Sequence, residues 1–550
     1  MAIEYRTVNG IEYAMLSKSV RKGDRITKAP RINLGRVIDK ERGIYKSRAR
    51  GLFHYDPDAE EYSKVPPDYI EPMIKRRKKT RDREILEVEF GSSFFFNSYM
   101  QALGCWDILD AVLYRNNDTL RALLMYYCVA PYSNRMALLW WNHSYARMLF
   151  PKAQLASQRI SETLEDLGSE EVKRLFFKAY YKKLKINPAR KTTYAYEMDD
   201  EAAGEGILID STGLPNCCSL PVTAVSNHNG QISEEIRLIY VVQQSTGLPL
   251  FFRYIAGNII DATTIKTTVA EIKAYGINTK FAILDAGYYN HKNADALIEA
   301  GISFITRMHS GFEVYDQVFT ANRSTLEEEE NLVTHNGRII YVKCVPCKIG
   351  SKRDHDAYAY MCLDCTMKRE EEYKLQQRIS DTNLSSHEIH TKRSQHGIFM
   401  LVATRKIAKA NLLPLYYTRN QVEDIFKLCK SSCKILPINV ETEETLRGHL
   451  LLTFMATVVM KRISDRLADK SFTTEMLFMA LNEHRARIYE DCIVTSEPTK
   501  LMNNIYKHYK ITVPTSIPYE APAELFEEVN NVGADWLMPD DDVDTKISGN

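Results

Sequence analysis

The chain has 550 residues, of which 45% are hydrophobic and 26% are charged, a composition typical of a soluble globular protein. This length exceeds what one hydrophobic core usually holds, so we expect two to four domains. The longest apolar run, residues 450–460, is too short to cross a bilayer. The first six residues lack the apolar segment of a secretory signal, and eleven cysteines without such a signal fit a reducing compartment. We therefore predict a cytoplasmic protein with no membrane partner.

Positive charge is concentrated at the N-terminus. Residues 1–83 contain 21 Lys or Arg and 12 Asp or Glu, an excess of nine in a chain whose net charge is +1. Short extended runs with turn signals, such as residues 32–38 and 55–58, predict a basic β-rich module over residues 1–85. Its densest cationic run, residues 75–81, can contact phosphates through charge alone, although a solvated linker has the same composition.

Residues 86–200 show helical periodicity. Within them, residues 153–164 have the length and polar face of a recognition helix in a helix-turn-helix, which predicts DNA binding by this region. A helix that only packs against its neighbours would show the same pattern, and both interpretations stay open here.

A different pattern begins near residue 201. Strands and helices follow in the order β-β-β-α-β-α-β up to about residue 310, which predicts a mixed sheet flanked by helices. The predicted strands cover residues 206–210, 236–243, 248–255, 281–285 and 302–306, and the predicted helices cover residues 262–275 and 293–300. Such a sheet binds ligands at the carboxyl ends of its strands.

Two aspartates close apolar strands of this sheet. Asp210 and Asp285 each follow four apolar residues and precede small residues, so each is expected to reach the rim of the sheet. A single aspartate in this position is commonly a turn or capping residue. Two of them on strands expected to be neighbours favour a shared site.

Residues 311–405 interrupt this pattern and predict a β-rich insertion. Extended runs at residues 312–315, 338–344 and 358–362 are followed by a charged helix at 368–378, a polar loop rich in Ser and His, and a strand at 398–403. The insertion also contains two Cys-x2-Cys pairs, Cys344 with Cys347 and Cys362 with Cys365. Their spacing is close to that of a zinc ribbon, but each pair also lies where a strand ends, so an ordinary hairpin explains them and Zn²⁺ is the less favoured interpretation.

The segment 415–430 predicts one helix with an unusual polar stripe. Tyr416, Arg419, Glu423 and Lys430 fall on one narrow face, beside an apolar face predicted to pack on the core. Asp424 points about 100° away from its neighbour in the sequence and into solvent. A solvated helix with pairs at i,i+4 would carry similar residues, so the stripe alone does not decide its role.

Asp210, Asp285 and Glu423 together form a candidate set of catalytic carboxylates. Carboxylate oxygens are hard ligands suited to Mg²⁺ or Mn²⁺, and two such ions activate a water or 3′-hydroxyl and stabilise the leaving oxygen in phosphodiester displacement. Arg419 and Lys430 can neutralise phosphates, and Tyr416 can stack on or hydrogen-bond to DNA.

These residues resemble those of the DDE transposases of bacterial insertion sequences, which have an RNase H-like core. The pattern Tyr-x2-Arg-x3-Glu-x6-Lys is met in full by Tyr416, Arg419, Glu423 and Lys430. Ile-Asp-Ser-Thr around Asp210, Leu-Asp-Ala-Gly-Tyr around Asp285 and the intervening residues 257–261 support the resemblance, which covers roughly residues 205–465. Ala286 departs from it, because a basic residue often follows the second Asp.

The resemblance implies the roles of these residues and of the partners. Asp210, Asp285 and Glu423 would be catalytic and would bind Mg²⁺, with two ions expected, while Tyr416, Arg419 and Lys430 would hold double-stranded DNA near the element end. It also implies a homodimer in the DNA complex and association with the nucleoid.

We therefore predict an α/β protein with an RNase H-like mixed sheet flanked by helices. Its function would be a transposase that binds insertion-sequence ends and catalyses Mg-dependent strand cleavage and strand transfer. The alternatives are a transposase-derived DNA-binding protein or repressor without activity, and an unrelated metal-dependent nuclease. The expected regions are 1–85, the basic module; 86–200, helical; 201–310, core; 311–405, insertion; 406–470, core with the catalytic Glu; and 471–550, helical with an acidic tail.

Overall fold

A computed structural model of the chain describes residues 2–8, 11–17, 19–22, 25–28, 32–47, 50–66, 69, 86–112, 114–130, 132–185, 206–216, 218–228, 231–259, 263–277, 279–379, 385–467 and 472–520. The chain divides into two compact units, Met1–Arg83 and Glu84–Asn550.

The N-terminal unit is made of β-strands. They are β1 (Ala2–Val8), β2 (Ile11–Ser17), β3 (Ser19–Lys22), β4 (Arg25–Lys28), β5 (Ile32–Asp39), β6 (Ile44–Ser47), β7 (Gly51–Asp56) and β8 (Glu61–Ser63). An antiparallel sheet has the order β1-β2-β5-β6-β7-β8, and β3 pairs with β4. Ala14, Leu16, Phe53 and Tyr55 alternate along β2 and β7 and are buried, as expected for strands with one apolar face. The predicted β-rich module is confirmed; the cationic run 75–81 lies outside the described residues.

The second unit opens with one strand and a series of helices. These elements are β9 (Leu86–Glu89), α1 (Gly91–Leu103), α2 (Trp106–Asp110), α3 (Asn117–Val129), α4 (Ala137–Asn142), α5 (Ala146–Leu149), α6 (Ser157–Leu167) and α7 (Glu170–Lys185). The helix α6, proposed from sequence as a recognition helix, buries Ile160, Leu164 and Leu167. Its exposed Arg159 forms an ion pair with Glu162 at 2.7 Å, so the outer face of α6 offers little free positive charge.

The central sheet begins with the succession predicted from sequence. Its first elements are β10 (Gly206–Pro215), β11 (Ala224–His228), β12 (Gln231–Gln243), β13 (Pro249–Ala256), α8 (Ile265–Ala274), β14 (Phe281–Leu284), α9 (His291–Glu299) and β15 (Ser303–Met308). β12 is antiparallel to β10 and β13 to β12, whereas β14 lies parallel to β10 and β15 parallel to β14. The predicted mixed sheet with helices is confirmed. One detail was wrong, because β10 does not end at Asp210 but continues for five more residues paired with β12.

The segment predicted as a β-rich insertion extends this same sheet. It contains α10 (Glu313–Asn322), β16 (Leu332–His335), β17 (Arg338–Ile349), β18 (His355–Asp364), α11 (Cys365–Ile379), α12 (Ser386–Gln395) and β19 (Ile398–Ala403). β19 pairs with β15, and the sheet continues through β18 and β17 to β16. The strand predicted at residues 312–315 is wrong, since these residues open α10, and the predicted Ser/His loop is largely α12.

After β19 the chain returns across the sheet as helices. α13 (Lys409–Tyr416) is followed by a 3-10 turn at Tyr417–Arg419, then by α14 (Asn420–Ser432) and α15 (Glu443–Ser464). The single helix predicted over residues 415–430 is therefore interrupted at its polar stripe. α15 is almost wholly buried, and a side chain at Gly448 would collide with the Leu164 carbonyl of α6, so the two helices pack at close range. Among the helices in the described ranges, none combines the length and apolarity needed to cross a membrane.

The C-terminal part contains strands as well as the predicted helices. Its elements are α16 (Thr474–Asn482), β20 (Arg485–Ile488), β21 (Cys492–Thr495), α17 (Lys500–His508) and β22 (Ser516–Pro518). β20 pairs with β9, so a small sheet in the order β22-β21-β20-β9 joins the two ends of the second unit. The predicted acidic tail beyond Glu520 lies outside the described residues.

Candidate active site

The two candidate aspartates lie next to each other on the central sheet. The parallel pairing of β10 with β14 matches Gly206–Ile209 with Phe281–Leu284, and Asp210 and Asp285 are the next residues on the two strands. Neighbouring strands are about 4.8 Å apart, so this register brings the two carboxylates to one rim. Asp285 stands at the end of β14, before a 3-10 turn, while the Oδ1 of Asp210 accepts a hydrogen bond from the Ser211 amide at 2.8 Å.

One guanidinium joins all three candidate acids. The Nη1 atom of Arg419 lies 3.0 Å from Oδ1 of Asp285 and 4.0 Å from Oδ2 of Asp210. Its Nη2 atom lies 3.3 Å from Oε1 of Glu423, one turn further along the chain. Asp210, Asp285 and Glu423, separated by more than 200 residues in sequence, therefore converge on a single side chain.

The three neighbouring acids keep the Arg419 side chain positively charged. Burial alone would lower the pKa of Arg419, but the neighbouring Asp285, Tyr416, Glu423 and Asp210 outweigh it and raise the pKa above its ordinary value. Arg419 thus remains a permanent cation among three acids. Its Nε is buried and donates to no acceptor among the described residues, which leaves one hydrogen-bond donor of the guanidinium unused.

The packing of α14 determines which acid of the helix reaches the rim. Val422, Ile425, Phe426 and Cys429 are buried, as the helical periodicity predicted. Phe426 stacks on Tyr240 with ring centroids 5.6 Å apart, and Tyr240 is the register partner of Asp210 on β12. With that face held against the sheet, Glu423 turns toward Arg419, whereas Asp424 is exposed and has no ion-pair partner within the described part of the chain.

The three acids are not assembled into a closed metal site. In the ranges that the structure describes, no group of three or more His, Cys, Asp and Glu side chains is close enough to hold one ion. The carboxylates have the oxygen donors that Mg²⁺ prefers, and the structure shows that they already share one positive group, the Arg419 guanidinium. The donor chemistry therefore fits a divalent cation, and the spacing seen here places a guanidinium between the donors.

The other two residues of the stripe point inward. The Lys430 ammonium donates to Thr212 Oγ1 at 2.7 Å and to the Gly213 carbonyl at 2.9 Å, so it is bound to β10. Burial lowers the pKa of Lys430, and Cys429 and Glu235 partly oppose this. Tyr416 is only 4% exposed, and burial raises the pKa of its hydroxyl to about 12. Lys430 is thus bound within the protein and Tyr416 is buried, and the DNA contact predicted for both stays a prediction.

Sequence reasoning missed a buried charge pair behind the rim. Arg237 and Glu235 lie 3.7 Å apart, each with only 4% of its side chain exposed, and Arg237 Nη1 lies 3.5 Å from Ser211 Oγ beside Asp210. The signal was present, since two opposite charges alternate on one face of an otherwise apolar strand. Polar and charged groups therefore continue from the rim into the interior of the sheet.

The four cysteines of the two Cys-x2-Cys pairs lie in and directly after a β-hairpin. In the β17–β18 hairpin, Cys344 is opposite Tyr360, and Cys362 is opposite Val342 and completely buried. Cys344 and Cys347 are three residues apart on one strand and so face opposite sides of the sheet. Burial also raises the pKa of Cys347 to about 11, which keeps the thiol protonated. The hairpin interpretation fits this arrangement, and Zn²⁺, the less favoured interpretation, stays a prediction.

Comparisons with known proteins bear on the same part of the chain. Residues 201–459 match the family model described as "Transposase DDE domain". The search of curated proteins finds no match. A cryo-EM structure of a piggyBac transposase synaptic complex with hairpin DNA is 11% identical, over 76% of this chain and 76% of its own, with a TM-score of 0.36. A Drosophila P element transposase strand transfer complex is 10% identical, over 59% of this chain and 84% of its own, with a TM-score of 0.13.

The matched segment begins before β10 and ends within α15, so it contains both aspartates, the glutamate and Arg419. Residues 201–459, slightly less than half of the chain, are therefore similar to a transposase DDE domain.

Proposed function

We propose that this protein is an active transposase, which cleaves DNA at the ends of an insertion sequence and joins them to a target. The observation that carries the proposal is the convergence of Asp210, Asp285 and Glu423 on Arg419 at one rim of the sheet. It falls within residues 201–459, which match the family model described as a transposase DDE domain.

The three acids would hold Mg²⁺ or Mn²⁺, with two ions expected. When bound, such ions activate the attacking oxygen and stabilise the leaving oxygen. Asp210 and Asp285 are fixed by the strands that carry them, and Glu423 is fixed by the packing of α14 on β12. The rigid backbone on both sides supports a role for these residues in orienting the scissile phosphate.

Arg419 would contact the phosphate itself. Two of its nitrogens already face the acids, while its Nε has no acceptor among the described residues. With the acids holding cations, the Arg419 guanidinium would be free to bind a phosphate through two parallel hydrogen bonds. Tyr416 and Lys430 would support this position from inside the sheet, and their direct contact with DNA remains a prediction.

The remaining parts of the proposal concern architecture and partners. The mixed sheet, with antiparallel β13, β12 and β10 followed by parallel β14 and β15, supports an RNase H-like core. The substrate would be double-stranded DNA, both element ends and target, acted on in the cytoplasm at the nucleoid by a homodimer.

A DNA-binding protein without cleavage activity is the second candidate, and one observation favours it: the positive charge between the three acids is supplied by the chain itself. A nicking assay separates the two. Purified protein is incubated with labelled duplexes that together cover the genomic DNA on both sides of its reading frame, with Mg²⁺ or with EDTA. We expect strand cleavage with Mg²⁺ and none with EDTA. Specific binding without cleavage in either condition would establish the second candidate instead.

A further inference from the structure

A basic groove lies at the edge of the central sheet, apart from the three acids. It has a volume of about 860 Å³ and runs between α7 and α8. Its lining includes four cations, two acids and two tyrosines: Lys173, Arg174, Lys178, Lys182, Glu170, Glu271, Tyr181 and Tyr275.

The groove is held by firm contacts between α7 and the edge strand. The hydroxyl groups of Tyr180 and Tyr181 donate to the Pro249 and Leu250 carbonyls of β13, both at 2.7 Å. Phe177 packs against Phe251 with ring centroids 5.3 Å apart. α7 therefore covers the start of β13 and presents its outer face in a fixed position.

The cations of that face are regularly spaced and available. Arg174, Lys178 and Lys182 are exposed, four residues apart, and follow one stripe of α7 with a rise of about 6 Å between successive positions. No carboxylate lies within ion-pair distance of these three side chains in the part of the chain that the structure describes. Of the two lining acids, Glu271 lies 3.5 Å from Arg253, and both Glu170 and Glu271 act on Lys173. The four lining cations still outnumber the two acids. The helix dipole favours cations in the last turn of α7. Arg174 and Lys178 lie before that turn, so the dipole does not account for the positive charge at their positions.

The groove and the candidate acids are at the same level of the sheet. Asp210 pairs with Tyr240 on β12, and Tyr240 pairs with Phe252 on β13. Lys173, on the groove side of α7, lies over Phe252 with its Nζ 5.4 Å from the ring centroid. Two strand spacings amount to about 10 Å, a distance that a single duplex spans easily.

We propose that this groove binds the phosphate backbone of DNA that extends beyond the cleavage point, and this rests on the proposed function. A stripe of exposed cations at helical spacing binds phosphates without reading sequence. Tyr181 and Tyr275 line the groove and add aromatic surface against the sugar-phosphate chain.

The test compares two double variants of the full-length protein. Lys178→Ala/Lys182→Ala removes two groove cations, and Lys392→Ala/Arg393→Ala removes two exposed cations from α12 as the matched control. Binding to a short mixed-sequence duplex is measured by fluorescence anisotropy in EDTA across a range of salt concentrations. We expect the groove variant to bind roughly tenfold more weakly or worse, with a salt slope smaller by about 2, while the control keeps the wild-type slope.

Two outcomes would overturn the proposal. One is a groove variant with the affinity and salt slope of the wild type. The other is a variant that keeps its duplex affinity but loses binding of a synthetic acidic peptide with the sequence of residues 520–544, which would assign the groove to an acidic segment. Since EDTA prevents cleavage, the result is independent of the nicking assay. Absence of nicking by the wild-type protein contradicts only the proposed function. An unchanged salt slope in the groove variant contradicts only the proposed DNA binding by the groove.

Discussion

Arg419 is the residue on which the electrostatics of the candidate site depend. Three acids on three elements meet one cation, and each contact is partly open to water, since Arg419 is 24% exposed and Glu423 is 56% exposed. In such a setting a pair of charges about 4 Å apart contributes on the order of 1 to 4 kcal/mol, depending on local screening. The guanidinium therefore competes with any other cation for the same carboxylates.

Replacing Arg419 should change the affinity for divalent cations before any chemistry takes place. With Arg419→Ala, the acids lose their internal countercharge, so we expect DNA-free protein to bind Mn²⁺ roughly tenfold more tightly. Arg419→Lys should lie in between. Titration calorimetry or the EPR signal of free Mn²⁺ gives the affinity, and Arg323→Ala, which breaks a surface pair with Glu327, is the control. Weaker Mn²⁺ binding in Arg419→Ala would show that Arg419 supports the metal site instead of competing for it.

At the scale of elements, helices with a regular apolar pattern could be predicted from the sequence, but the points at which they are interrupted could not. The buried face of α14, from Val422 to Cys429, followed from the sequence because apolar residues repeat at helical spacing. The 3-10 turn at Tyr417–Arg419 did not, and it changes the rotation per residue, so Tyr416 ends on α13 in the core instead of in line with Glu423.

The pattern of a short segment also gave a wrong prediction at α10. Residues 312–315 alternate apolar and polar side chains like a strand, but the helix shows itself only when Val318 is included beside Val314 and Tyr315. α12 had a usable signal, the capping box of Ser385 and Glu388, within a polar segment that predicted a loop.

The position of Asp210 shows a limit that no local pattern removes. The parallel pairing of β10 with β14 stops just before it, while the antiparallel pairing with β12 continues to Pro215. Asp210 is therefore at a rim with respect to one neighbouring strand only. Where a strand ends depends on which neighbouring strand is considered. The sequence of β10 alone therefore placed Asp210 at the rim, but it wrongly ended the strand at the same residue.

The buried helix α15 makes stability depend on pH through His449. The Tyr127 hydroxyl is 3.1 Å from Nδ1 of His449, and the Ile435 carbonyl is 3.2 Å from Nε2. Asn134 donates to the same hydroxyl, so Tyr127 donates to Nδ1 and His449 is neutral with its proton on Nε2. Burial lowers the pKa of His449 below its ordinary 6.5, and the Ile435 contact opposes this only in part.

It follows that stability contributed by His449 is present above pH 6.5 and is lost as the pH falls below that value, because the unfolded chain then binds more protons. Thermal unfolding of the wild type should shift to lower temperature between about pH 7.5 and pH 5.5. His449→Gln should be less stable at the higher pH but show a smaller shift. Equal shifts in both proteins would mean that His449 is not the group that titrates.

At the scale of the whole molecule, net charge along the sequence reveals the N-terminal excess of positive charge but not the stripe on α7. Residues 1–83 carry an excess of nine positive charges, which the sequence shows directly, and the rest of the chain sums to minus eight. The stripe on α7 lies within that acidic remainder and becomes visible only when Arg174, Lys178 and Lys182 are placed on one helix face. Composition thus predicted a nucleic-acid partner for the N-terminal unit, while the groove between α7 and α8 required the fold.

The proposed active site requires Glu423 to be the acid that completes it, and two neighbouring residues test this directly. Glu423→Gln removes a carboxylate that faces Arg419, and Asp424→Asn makes the same chemical change on the exposed side of α14. Both purified variants are assayed with Mg²⁺ on duplexes that cover the genomic DNA on both sides of the reading frame, and their DNA affinity is measured in parallel. We expect Glu423→Gln to lose strand cleavage but to bind DNA as well as or better than the wild type. We expect Asp424→Asn to cleave normally. Cleavage by Glu423→Gln together with an inactive Asp424→Asn would contradict the proposed active site.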